Sequence, residues 1–114
     1  MILNANVVEK KQLNECVYRL ICSEGVVIDV HESCPVNESD NIRVSLTDAL
    51  IENSQYAMYG HVYKRDDTHT CLSFGGLLAS LPLKLETNTA YMHIEKSNVR
   101  RRGLAQSTQK KRKT

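Results

Sequence analysis

The residues best suited to chemistry in this 114-residue chain are four cysteines and four histidines. Two histidines stand close to cysteines, in His31-x-x-Cys34 and His69-x-Cys71. Because thiolates and imidazoles are preferred zinc ligands, loops that converge could bring these four side chains together as a zinc site. Structural zinc sites usually contain paired C-x-x-C elements, and this chain has none. The favoured interpretation therefore assigns the chain no metal and no cofactor.

Nucleophilic catalysis would need Cys71 beside a histidine that a third group orients, and no local signature supports that arrangement. The carboxylates of Asp66 and Asp67 form a pair, but their place between two apolar segments is typical of turn residues. Gly75 and Gly76 lie inside a strand-like run and not before a helix, as a phosphate-binding loop would require. The sequence therefore predicts that the chain is not an enzyme.

The other cysteines and histidines have simpler interpretations. Cys16 and Cys22 have even spacing on one face of a strand predicted over residues 16 to 23, which is typical of small core residues. His61 and His93 fall on predicted strands, where surface or interface positions are expected. With no hydrophobic secretory segment at the start, we expect reduced thiols in an intracellular compartment.

Alternation of apolar and polar residues with a period of two dominates the chain and predicts an all-β fold. Short alternating runs are separated by turn residues such as those at 23 to 25, and one helical turn is an option over residues 48 to 55. Seven to eight strands in one domain, residues 1 to 96, indicate a small antiparallel barrel or sandwich, with the barrel favoured because closure removes free edges. The predicted strands cover residues 2 to 9, 16 to 23, 26 to 31, 42 to 47, 56 to 64, 72 to 81 and 90 to 96.

The runs 56 to 64 and 72 to 81 predict a central hairpin with apolar residues on both faces. One face would fill the barrel, and the other would need a second layer or a partner chain. The glycines of this hairpin are expected at a bend, a bulge or a close backbone approach. The candidate barrel-closing or interface residues are Tyr56, Met58, Tyr59, Gly60, Val62, Tyr63, Ser73, Phe74, Gly75, Gly76, Leu77 and Leu78.

Two motifs in this hairpin, Tyr56-x-Met-Tyr-Gly-x-Val-Tyr63 and Leu72-Ser-Phe-Gly-Gly-Leu-Leu78, carry a family resemblance. In this order, joined by a short charged loop, they resemble the signature of the eighth common subunit of eukaryotic DNA-directed RNA polymerases I, II and III. The resemblance implies an OB-like barrel, a nuclear location and no tendency to form homo-oligomers. It also implies a non-catalytic role in transcription, with docking on the largest polymerase subunit and contact with neighbouring subunits.

Charge divides the chain into two parts of opposite sign. Residues 1 to 96 carry eight Lys/Arg against thirteen Asp/Glu, a net charge of −5, whereas residues 97 to 114 carry seven Lys/Arg and no acid, a net charge of +7. Residues 97 to 114 lack apolar periodicity, which predicts a disordered basic tail. Such a tail could serve as a nuclear import signal, make a weak nucleic-acid contact or only raise solubility. Its cations are Arg100, Arg101, Arg102, Lys110, Lys111, Arg112 and Lys113.

A second class of function also fits a small barrel with exposed tyrosines. A free-standing OB-type protein would stack the bases of single-stranded nucleic acid on its aromatic rings. The −5 charge of residues 1 to 96 argues against it, because a groove that follows phosphates needs a positive lining. A membrane location is not expected either, since the longest apolar runs fall far short of ~20 residues.

Overall fold

The computed structural model describes residues 1 to 97. This part of the chain contains eight strands and one 3₁₀ turn at Ser23–Gly25. The predicted disordered tail, apart from Ser97, lies outside the described residues. The strands are β1 (Ile2–Gln12), β2 (Val17–Cys22), β3 (Val27–His31), β4 (Asn41–Thr47), β5 (Tyr56–Arg65), β6 (Thr70–Phe74), β7 (Leu77–Leu81) and β8 (Thr89–Lys96).

The strands close into one barrel in the order β1-β2-β3-β7-β6-β5-β8-β4, and every neighbouring pair is antiparallel. The prediction of a small antiparallel barrel is confirmed. The optional helical turn over residues 48 to 55 is wrong, because that link consists of turns and bends. Within residues 1 to 97, no helix has the length and apolar character to cross a membrane.

Two meanders of consecutive strands, β1-β2-β3 and β5-β6-β7, supply six of the eight strands of the barrel. On one side of the barrel, β4 and β8 lie between them, and the β4–β8 ladder alone runs from Ile42↔Lys96 to Thr47↔Tyr91. On the other side the meanders meet directly, through only Val27↔Ser80 and Ile28↔Ala79. We call this short ladder the β3–β7 seam.

The barrel interior is filled by the inward residues of every strand, as the alternation predicts. Ile42, Val44 and Leu46 on β4 are buried, and so are Met92 and Ile94 on β8. Each large aliphatic side chain that is fully buried contributes about 1.5–3 kcal/mol to folding. The other large side chains that are almost fully buried include Val7, Leu20, Val26, Ile28, Val30, Val36, Leu72 and Leu81.

The run 72 to 81 forms two strands, so the prediction of one continuous second hairpin arm is wrong. Phe74 at the end of β6 pairs with Leu77 at the start of β7, and Gly75 and Gly76 alone make the turn between them. Their φ angles are +66° and +104°, a region that side chains with a Cβ rarely adopt. The glycines therefore reverse the chain where an apolar run gives no other sign of a turn.

Candidate docking surface and thiol cluster

The outer wall of the barrel carries three large exposed apolar side chains on β5 and β7. Tyr59 is 53% exposed, Tyr63 55% and Leu78 38%. The β5–β6 register shifts between Val62 and Lys64, so that Tyr63 is the extra residue of a β-bulge. The ring of Tyr59 packs against that of Tyr91 on β8, with centroids 4.6 Å apart. We call Tyr59, Tyr63 and Leu78 the outer apolar patch.

The inner face of the same strands belongs to the barrel itself. Tyr56, Met58, Val62 and Leu77 are half-buried and pack against the core. The hydroxyl of Tyr56 accepts a hydrogen bond from the backbone N–H of His31 at 2.9 Å, and burial raises the pKa of that hydroxyl. These predicted site residues therefore close the barrel, and the large apolar side chains that β5 and β7 leave exposed are those of the outer apolar patch.

Gly60, a further predicted site residue, marks a close approach between strands. It is buried on β5, and a Cβ at this position would overlap the carbonyl oxygen of Ser73 and lie 2.6 Å from Cδ1 of Phe74. The ring of Phe74, itself 7% exposed, thus stands where a side chain at residue 60 would be. The expectation of a close approach at this glycine is confirmed.

A shallow groove of about 180 Å³ lies beside the outer apolar patch, and Arg19, Val27, Tyr63 and Leu78 contribute to its lining. It lies over the β3–β7 seam, because Val27 is one of the residues that form the seam and Leu78 is on β7. Ala79 and Ser80 complete the lining, so that apolar groups surround one guanidinium and one hydroxyl. The groove is therefore mainly apolar, with the Arg19 guanidinium as the charged group of its lining.

Beneath the groove, one buried carboxylate joins three strands. Asp29 on β3 is 4% exposed and accepts hydrogen bonds from Arg19 Nε at 2.7 Å, Arg19 Nη2 at 3.1 Å and the backbone N–H of Leu78 at 3.1 Å. The hydrogen bonds and charge of Asp29 raise the pKa of the Arg19 guanidinium. Asp29 stands between the buried Ile28 and Val30 on β3, and nothing in that alternation marks its carboxylate as buried, so sequence reasoning missed its part in the seam.

The chain matches no known protein family and no curated protein. The outer apolar patch and the groove are therefore interpreted from their geometry. Tyrosine and arginine are the residue types that most often anchor protein interfaces, and large side chains around a shallow groove suit such anchoring.

The proposed pairing of His31 and Cys34 with His69 and Cys71 does not form. Cys34 is buried in the core, and burial raises the pKa of its thiol to about 11. Cys71 is half-buried on β6, next to Tyr63, whereas His69 lies in the β5–β6 turn. Among the residues that the structure describes, one group of three side chains has metal-ligating atoms close together. Of the four residues expected in a zinc site, this group contains only His31.

That trio is Cys16, His31 and Glu32, whose ligating atoms all lie within 4.8 Å of one another. The prediction that Cys16 is a core residue is wrong, because β2 begins only at Val17 and Cys16 is exposed in the turn before it. Cys22, the other member of that pair, is buried as predicted. Hydrogen bonding to Glu32 raises the pKa of the Cys16 thiol.

The two strand histidines differ in their surroundings. His61 is exposed, as expected, but His93 is only 2% exposed, so the prediction of a surface or interface position is wrong for it. The ring atoms of His93 lie 3.0 Å from Thr47 Oγ1 and 2.9 Å from Ser54 Oγ. His93 thereby holds the link between β4 and β5 against the barrel, which is a structural task.

The predicted turn role of Asp66 is confirmed. Its carboxylate accepts hydrogen bonds from the backbone N–H groups of Thr68 and His69, each at 2.8 Å, and these bonds lower the pKa of Asp66. Asp67 lies 3.8 Å from the Lys84 ammonium at the surface. The two carboxylates therefore have local structural partners.

The thiols should differ sharply in reactivity. Burial raises the pKa of both Cys22 and Cys34 to about 11, so these thiols stay protonated at pH 8. We expect a chromogenic disulfide reagent to modify the exposed Cys16 faster than the half-buried Cys71, because access outweighs the raised pKa of Cys16, whereas the two buried thiols react only in denaturant. The raised pKa values mean that folding favours the protonated form of these two thiols. Their contribution to the free energy of unfolding is complete below about pH 9 and is lost as pH rises through 11. Rapid modification of all four thiols in the native chain would contradict this assignment.

Proposed function

We propose that the chain is a non-catalytic structural subunit of a multisubunit DNA-directed RNA polymerase, docked on the largest subunit by its outer apolar patch. The observation that carries the proposal is the division of the hairpin into two faces. The inner face packs into the chain's own core, whereas Tyr59, Tyr63 and Leu78 remain exposed on the outer face. The resemblance of the segments 56 to 63 and 72 to 78 to the polymerase subunit signature supplies the class of partner.

The chemistry of the outer apolar patch supports a protein partner. Tyrosine rings and a leucine side chain release water from a large apolar area when they are covered. The guanidinium of Arg19, which lines the groove and is held by Asp29, adds a positive charge that suits a partner's carboxylate. A single-stranded nucleic acid would need a positive track beside the rings. Residues 1 to 96 carry a net charge of −5, which opposes phosphate binding.

Replacing Tyr63 with Asp should weaken co-purification of the full chain with the largest polymerase subunit. The substitution puts a charge on a surface that docking would desolvate, and loss of one tyrosine anchor typically costs about 2 kcal/mol or more in binding. The measurement is the ratio of the largest subunit to the tagged chain after affinity purification. Val8→Asp is a matched control, because Val8 is 64% exposed on β1, across the barrel from the patch.

Normal recovery of the largest subunit with Tyr63→Asp would count against the docking surface. The binding of single strands is tested separately with a full chain in which the seven Arg and Lys of residues 97 to 114 are changed to Gln. The subunit proposal expects that variant to have little affinity for single-stranded DNA or RNA. Tight binding that remains and depends on Tyr59 and Tyr63 would favour the free-standing binder instead.

A further inference from the structure

The end of the barrel that holds the β1–β2 turn presents three different metal-ligating groups together. Cys16 offers a sulfur, His31 a ring nitrogen and Glu32 a carboxylate oxygen, all within 4.8 Å of one another and all exposed. The mixture of soft sulfur, imidazole and carboxylate is typical of zinc ligands. Bonds of about 2.0–2.3 Å put tetrahedral ligand atoms about 3.3–3.8 Å apart, a separation that exposed side chains this close reach by small rotations. Three protein ligands would leave one tetrahedral position open to water or another group.

The backbone holds the two contributing segments in place without a metal. Glu32 N–H donates to the carbonyl of Cys16 at 2.7 Å, and Val17 pairs with His31 across the β2–β3 ladder. The side chain of Asn14 accepts hydrogen bonds from the N–H groups of Cys16, at 2.9 Å, and Val17, at 3.0 Å. The turn that carries the thiol is therefore fixed beside the strand end that carries the other two ligands.

The imidazole is also oriented before any ion arrives. His31 Nδ1 accepts a hydrogen bond from the backbone N–H of Ser33 at 3.1 Å and lies 2.9 Å from Ser33 Oγ. Metal-bound histidines donate their other ring N–H, so an ion on Nε2 moves the ring proton to Nδ1, which then donates to Ser33 Oγ in place of accepting from the Ser33 N–H. The Tyr56 hydroxyl accepts a hydrogen bond from the backbone N–H of His31 at 2.9 Å, which links His31 to β5.

We propose that Cys16, His31 and Glu32 form a solvent-accessible binding site for Zn²⁺. On binding, the Cys16 thiol loses its proton to water and the thiolate sulfur bonds to the ion, together with a ring nitrogen of His31 and a carboxylate oxygen of Glu32. The open coordination position accepts a water molecule. This site is independent of the polymerase proposal, since its residues lie outside the outer apolar patch.

Cobalt is the spectroscopic probe for this site. The reduced full chain, stripped with chelator and titrated with Co²⁺, should develop a near-ultraviolet thiolate-to-cobalt absorption band together with visible bands, and added Zn²⁺ should bleach both. Cys16→Ser should abolish the near-ultraviolet band, and His31→Ala should weaken metal affinity at least ~10-fold. Residues 98 to 114 contain no cysteine or histidine that could compete.

Cys71→Ser and His69→Ala are the matched controls, because both residues lie outside the trio. They should keep the cobalt spectrum and the affinity, and far-ultraviolet circular dichroism should show that every variant retains the barrel. Absence of the thiolate band from the unmodified chain, its persistence in Cys16→Ser, or its loss in Cys71→Ser would each overturn the assignment.

Discussion

Gly60→Ala is expected to lower the free energy of unfolding by at least about 3 kcal/mol, the upper part of the range for overpacked cores. The added methyl group would overlap the Ser73 carbonyl oxygen and press on the Phe74 ring. A side chain can rotate away from such a contact, but a carbonyl in a paired strand can move only if the β5–β6 ladder shifts. For a domain of this size the melting temperature should fall by at least ~12 °C.

Gly75→Ala separates this effect from the ordinary cost of losing a glycine. At Gly75 the φ angle is +66°, but a Cβ would meet nothing within 4 Å. Only backbone strain opposes the alanine there, which costs about 1–2 kcal/mol. Thermal and denaturant unfolding of both variants gives the comparison. Equal losses at the two glycines would show that crowding at Gly60 is not the controlling factor.

Arg19→Met is expected to cost about 3 kcal/mol, because it leaves a buried carboxylate without its cation. The Asp29 side chain is 5% exposed, and the Arg19 guanidinium supplies two of its three described hydrogen bonds. The Met side chain keeps much of the length of the arginine stem, so most of the loss should be electrostatic. Denaturant unfolding at neutral pH measures it.

The double variant Arg19→Met/Asp29→Asn tests that explanation. Asn at position 29 has no charge but keeps an oxygen that can accept a hydrogen bond from the Leu78 N–H. The double variant should therefore regain about 1 kcal/mol or more of the free energy of unfolding lost in Arg19→Met. The pair of Arg43 and Glu95 is the surface control, since its atoms are 3.3 Å apart but their side chains are 51% and 35% exposed. Glu95→Gln should change stability by only about 0.5 kcal/mol. No recovery in the double variant would mean that the buried charge is not the source of the loss.

The fold could be predicted because most of its strands expose one face to solvent. On β4, Ile42, Val44 and Leu46 alternate with polar residues, and that alternation predicts both the strand and the face of it that is buried. Residues 72 to 81 show little of this contrast, since Ser73 and Ser80 are the only polar side chains among them. Only the φ angles of Gly75 and Gly76 divide them into two strands.

The candidate sites were harder to predict because they depend on the closed barrel. Alternation along β5 separates Tyr59 and Tyr63 from Tyr56, Met58 and Val62, but only the closed barrel shows which of these two faces is buried. Cys16 and His31 are 15 positions apart and meet only because β2 pairs with β3. Asp29 is buried by Arg19 and by β7, a strand about 50 positions later in the chain. Periodicity in a single run carries no information about such contacts.

The β3–β7 seam, with two register pairs, is the shortest ladder of the barrel. A barrel avoids free strand edges only while every ladder stays closed, and local opening should begin where the fewest pairs must break. The groove lined by Arg19, Tyr63 and Leu78 lies over this seam. A partner bound there would act as an external clamp, and at a concentration 100 times its dissociation constant it would add about 2.7 kcal/mol against opening. The free energy of opening the β3–β7 seam and the affinity for the partner are then thermodynamically linked, so a change in one should appear in the other.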